Sequence, residues 1–164
     1  MKKTIIKAAL TMAMPLSAAW PAQAAEKTVG IIGGITTGPT APVAGVFFGL
    51  EPVGHIRIVP SFSYQFKQNR TDAFRFSIDV QSPWAITGTR FRIYPLAGVS
   101  VSRFNTVKSD NSQQRIDRLG FNVGGGLEWK PAAMLGLKLF AEGKYAYAKK
   151  FDSALVSLGI GYAF

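Results

Sequence analysis

Between His55 and Lys67 the chain carries Ile56, Ile58, Pro60, Phe62, Tyr64 and Phe66 on one parity and His55, Arg57, Val59, Ser61, Ser63, Gln65 and Lys67 on the other. A β-strand turns successive side chains to opposite faces, so this alternation predicts a strand with one apolar and one polar face. The pattern recurs. Phe74, Phe76, Ile78, Val80 and Trp84 alternate with Arg75, Ser77, Asp79 and Gln81, interrupted by Ser82. Residues 118–130 set Leu119, Phe121, Val123, Leu127 and Trp129 against Arg118, Asn122, Glu128 and Lys130, and residues 135–147 set their leucines, Ala141, Tyr145 and Tyr147 against Lys138, Glu142 and Lys144. The last ten residues, LVSLGIGYAF, place Val156, Leu158, Ile160, Tyr162 and Phe164 on alternate positions, ending on an aromatic. With weaker segments at 28–37, 43–52 and 90–104 and the terminal one at 154–164, the expected strands number eight. Breaks between them carry turn residues: Gly38-Pro39, Pro52-Val53-Gly54, Gln68-Asn69-Arg70, Ile86-Thr87-Gly88, Ser109-Asp110-Asn111 and Lys130-Pro131.

The first 24 residues follow another logic. Lys2, Lys3 and Lys7 precede an apolar stretch over 8–19, too short to span a bilayer, and Ala22-Gln23-Ala24 supplies small residues for cleavage. Residues 1–24 are therefore expected to be a cleaved signal peptide, and 25–164 one β-barrel domain. Without the three lysines the chain retains 16 basic against 9 acidic residues. An exported basic protein meets anionic surfaces rather than nucleic acid. Cysteine is absent, which removes thiolate catalysis and disulfides.

Eight alternating strands can close with the apolar face inward, as in a soluble ligand-binding barrel, or outward, as in a membrane barrel. Aromatic placement favours the second. If the N-terminus starts on the periplasmic side, Tyr64, Phe66, Phe74, Phe104, Tyr145 and Tyr147 fall near the outer rim. Trp84, Phe91, Trp129, Tyr162 and Phe164 then fall near the inner rim. Two such girdles mark the two interfaces of an outer-membrane barrel. The reading is an all-β, eight-stranded antiparallel up-and-down transmembrane barrel. Its lumen would hold a charge network of Arg57, Arg75, Asp79, Arg92, Glu128, Glu142 and Lys144.

The closing runs GFNVGGGLEWKP, LGLKLFAEGKYAYAK and SALVSLGIGYAF resemble the last three strands of the small eight-stranded outer-membrane proteins of the OmpA and OmpX-like superfamily. The resemblance implies a closed barrel in the Gram-negative outer membrane, serving adhesion, surface protection or envelope stability. It also implies that Tyr162 and Phe164 form the signal read by the outer-membrane assembly machinery. The outer loops are short, the longest being expected at about 105–117, which speaks against a large protruding binding surface.

Catalytic readings are poorly supplied. His55, the single histidine, falls at a turn with no Ser partner pattern beside it. Glu128 and Glu142 could face each other in the lumen, yet carboxylates among so many basic residues read as structural. Gly124-Gly125-Gly126 lies inside a strand, so the phosphate-loop context fails and close packing is the expected cause. Neither metal nor cofactor is called for. A basic outer rim of Lys67, Arg70, Arg103, Arg115, Lys149 and Lys150 is the candidate contact for lipopolysaccharide phosphates. A monomer is expected. The alternatives are a lipid A-modifying enzyme, a small pore and a soluble periplasmic barrel.

Overall fold

The computed structural model describes residues 25–37, 40–68, 71–107, 113–132, 136–147 and 152–164. Its strands are β1 (Glu26–Thr36), β2 (Ala41–Val53), β3 (Ile56–Gln68), β4 (Thr71–Gln81), β5 (Trp84–Ala85), β6 (Phe91–Val107), β7 (Gln113–Trp129), β8 (Leu137–Tyr147) and β9 (Ser153–Ala163). Neighbours pair antiparallel, and the ring closes because β1 also pairs with β9 while β4 pairs with β6. Closure leaves no open sheet edge, the condition for a β-structure to survive in hydrocarbon.

Eight strands make the wall, and β5 continues β4. Gln81 faces Leu96 and Trp84 faces Ile93, so the register is unchanged across Ser82-Pro83. Pro83 and Pro95 have no N–H to donate, which opens the ladder there, and Ser82 alone bridges it by donating its N–H to the Pro95 carbonyl at 3.1 Å. The alternation carries Trp84 to the outer face as expected, although the expected continuous strand to 84 is interrupted.

The apolar parity points outward. Ile31, Val46, Phe62, Val99, Phe121, Leu158 and Ile160 are exposed, whereas Ser61, Ser77, Asp79, Asn122, Glu128 and Lys144 are buried. Trp84, Phe91, Trp129, Tyr162 and Phe164 stand on the outer face at the end where the described wall begins with β1 and finishes with β9, its termini end. Tyr64, Phe66 and Phe74 pack together on the outer face at the far end, with ring centroids 4.8–5.2 Å apart, and Tyr145 and Tyr147 share that level. The barrel is apolar outside and polar inside, with aromatic bands at both ends: a transmembrane barrel.

Two expectations are corrected. Phe104 is 8% exposed and faces the lumen, on the inward parity of Ser100 and Ser102, so it fills the far mouth instead of joining the outer girdle. The loop expected at 105–117 is shorter, since the β6–β7 ladder runs on to Val107 opposite Gln113. A hairpin rising above an apolar band needs no apolar face, so the signal that marks a strand elsewhere is missing there.

Candidate functional site in the barrel lumen

The inward parity assembles a continuous polar network along the axis. At the termini end, Arg57 of β3 lies between two carboxylates, 3.2 Å from Glu51 and 2.6 Å from Glu128. Arg92 of β6 approaches the same two, at 3.3 Å from Glu51 and 3.6 Å from Glu128, which closes a ring of four alternating charges drawn from β2, β3, β6 and β7. Arg57 also donates to the Gln81 side-chain carbonyl at 3.2 Å, and Gln81 donates its amide N–H to Glu142 at 3.2 Å. Glu142 accepts a further bond from the Tyr94 hydroxyl at 3.2 Å and pairs with Lys144 at 3.3 Å. Lys144 reaches Asp79 at 2.9 Å, Asp79 accepts from Asn122 at 2.8 Å, and Asn122 accepts from Ser100 at 3.1 Å.

Glycines make this packing possible. A Cβ on Gly126 would overlap the Tyr94 ring, and one on Gly98 would overlap the Asp79 carboxylate. Gly126 thus gives part of the triple-glycine run its reason: bare backbone on the inward face beside a large side chain.

Among the buried charges described, Arg57, Arg75, Lys138 and Lys144 balance Glu51, Asp79, Glu128 and Glu142. Arg75 differs from the others. It donates to the hydroxyls of Ser102 and Ser153, each at 3.1 Å. Glu128 and Glu142 both lie in the lumen but are bridged through Arg57 and Gln81, without direct contact.

A polar pocket of about 30 Å³ lies within the lumen, lined by Ser61, Asp79, Tyr94, Glu128, Glu142 and Lys144 among others. That is room for about one or two waters, at a level where ion-paired side chains pack against one another. The opposite side of the lumen is apolar: Phe47 and Phe140 meet edge to face at 5.0 Å. What this lumen does chemically is hold charges in place.

Sequence reasoning missed Glu51, Gln81, Tyr94, Asn122 and Lys138 as network members. Glu51 had a signal: it shares a hairpin with Arg57, six residues on, on the same face. Tyr94 had none, since an aromatic on an inward parity looks like an error in phase. His55 is an exposed residue of the β2–β3 turn whose carbonyl accepts a bond from the Ser82 hydroxyl at 3.0 Å.

The basic far rim is only partly described. Arg103 pairs with Asp117 across the β6–β7 hairpin at 2.8 Å. Lys67 and Arg115 are described at the backbone only, and Arg70, Lys149 and Lys150 lie outside the described residues.

No protein-family model matches this chain, and no curated protein matches its sequence. Solved structures do. The chain is similar to the N-terminal β-barrel domain of Pseudomonas aeruginosa OprF, with 19% identity, a TM-score of 0.73, and 85% of this chain and 97% of that one covered. It is similar to Neisserial surface protein A, with 17% identity, a TM-score of 0.64 and the same two coverages. The outer membrane enzyme PagL shares the fold at 13% identity and a TM-score of 0.52, over 82% of this chain and 98% of that one. The class defined by fold is the small eight-stranded transmembrane β-barrel, the fold these outer-membrane proteins share. Because that class includes an enzyme, the shared fold does not decide the activity.

Proposed function

We propose that this protein is a structural or surface-interaction component of the Gram-negative outer membrane, exported by the signal peptide at 1–24 and acting without catalysis. The observation that carries the reading is an apolar exterior around an interior crossed by its own ion pairs. Ion pairs that cross the lumen obstruct a path for solute through it. The termini end then faces the periplasm and the far end faces outward.

At the far rim, Lys67, Arg70, Arg103, Arg115, Lys149 and Lys150 are proposed to meet lipopolysaccharide phosphates. Each basic side chain near an anionic surface contributes roughly 1 kcal/mol. The double variant Lys149→Gln/Lys150→Gln should therefore hold lipopolysaccharide about tenfold or more weakly at low salt, with the difference shrinking as salt rises. Unchanged binding at low salt would sink the rim assignment. The non-catalytic part is checked by mass analysis of lipid A from cells with and without overexpression. The same acylation pattern is expected in both, and a changed pattern would make the protein an enzyme.

A further inference from the structure

At the end of the barrel where β1 begins and β9 finishes, the rim is basic. A pocket of about 460 Å³ opens there, lined by Arg90, Arg92, Lys130 and Lys138, by one carboxylate, Glu26, and by Phe91 and Leu137. Lys130 and Lys138 both pair with Glu26, the former at 3.0 Å, and Arg92 is held by Glu51 and Glu128. Arg90 is exposed and makes no ion pair among the described residues. With Arg57 behind them, five cations in and directly behind the pocket face three carboxylates, Glu26, Glu51 and Glu128.

Arg90 does not hang on a loose loop. In the turn that carries it, Gly88 takes the left-handed φ of 76°, and the Ile86 N–H donates to the Phe91 carbonyl at 3.0 Å. The Thr89 hydroxyl donates to the Ile86 carbonyl at 2.9 Å and accepts from the Phe91 N–H at 3.2 Å. The Lys130 N–H then donates to the Arg90 carbonyl at 3.2 Å, which fastens the turn to the end of β7 and sets the two cations side by side. One step toward the apolar band, Phe91 stacks on Trp129 with centroids 6.2 Å apart. Cations carried on a hydrogen-bonded turn and strand end, beside an aromatic ledge on the lipid-facing wall, suit a ligand with a phosphate at one end and hydrocarbon at the other.

We propose that this pocket binds the phosphate of an anionic phospholipid from the periplasmic leaflet, with Arg90 and Lys130 as the principal contacts and the acyl chains lying along Phe91 and Trp129. The inference rests on the membrane orientation proposed above. Two cations near the surface should favour an anionic over a zwitterionic lipid by about tenfold or more.

The test is native mass spectrometry of the protein released from nanodiscs of phosphatidylcholine containing a minor share of phosphatidylglycerol. The protein should retain one phosphatidylglycerol, at about ten times the frequency its share predicts. Arg90→Gln/Lys130→Gln should bring retention down to that share, while Lys27→Gln, an exposed cation at the same end outside the pocket, should leave it unchanged. Arg90→Gln alone, which breaks no ion pair described here, should give an intermediate loss and guards against an effect of freeing Glu26. Equal retention by all variants, or equal loss with Lys27→Gln, would overturn the site. Displacement of the lipid by millimolar inorganic phosphate would overturn the lipid assignment in favour of a free phosphate site. Failure of the protein to enter the bilayer at all would instead contradict the membrane reading on which the site depends.

Discussion

Asp79 accepts from both Lys144 and Asn122 in a lumen where it is 2% exposed. Removing one member of a buried pair costs about 3–5 kcal/mol when the other is left uncompensated, and less here because Lys144 keeps Glu142 at 3.3 Å. Asp79→Ala should lower unfolding free energy in detergent by about 1–3 kcal/mol, the cost of buried polar groups left unsatisfied, while Asp79→Asn, which keeps an acceptor for one of the two partners, should lose less. Equal stability of the alanine variant and the parent, in urea titrations of the folded barrel, would mean that water replaces the pair. Asp79 could be assigned to the inside from sequence because the aromatic parity of its strand fixes the opposite face as inward. Tyr94 and Phe104 could not. Both are large aromatics on the inward face, tolerated because Gly126 makes room for one and the far mouth has space for the other, and strand periodicity does not show either circumstance.

At the scale of elements, β9 answers for the aromatic at Phe164. The Phe164 N–H donates to the Lys27 carbonyl at 2.8 Å and its carbonyl accepts from the Lys27 N–H at 3.2 Å, which extends the β1–β9 seam by one pair. Its side chain is 65% exposed on the lipid-facing parity and adds little internal packing. If Tyr162 and Phe164 act as an assembly signal, Phe164→Ser should refold in detergent almost as the parent does but reach the outer membrane in clearly lower yield. Equal loss in both assays would make the residue a matter of stability alone. Strand positions were readable wherever one face meets lipid and the other the lumen. They failed at 105–107 and 113–117, where β6 and β7 extend past the apolar band, and at Ser82-Pro83, where prolines interrupt hydrogen bonding without disturbing register. In each case the contrast between faces, or the backbone ladder, is missing while the other persists.

For the whole molecule, the two faces decide the account. A soluble barrel would bury its leucines and phenylalanines around a ligand; here the band of Leu119, Phe121, Val123, Val156 and Leu158 lies on the outside, each at least 60% exposed. The buried charges are balanced, and a polar core of this kind holds its shape through ion pairs and hydrogen bonds in a water-poor space. The most direct test is heat-modifiability of the protein extracted in mild detergent from outer-membrane fractions, comparing gel mobility before and after boiling. Fractionation with the outer membrane and a mobility shift on boiling are expected, because a closed barrel resists the detergent until heated. A protein recovered in the aqueous fraction, with the same mobility before and after boiling, would contradict the closed membrane barrel.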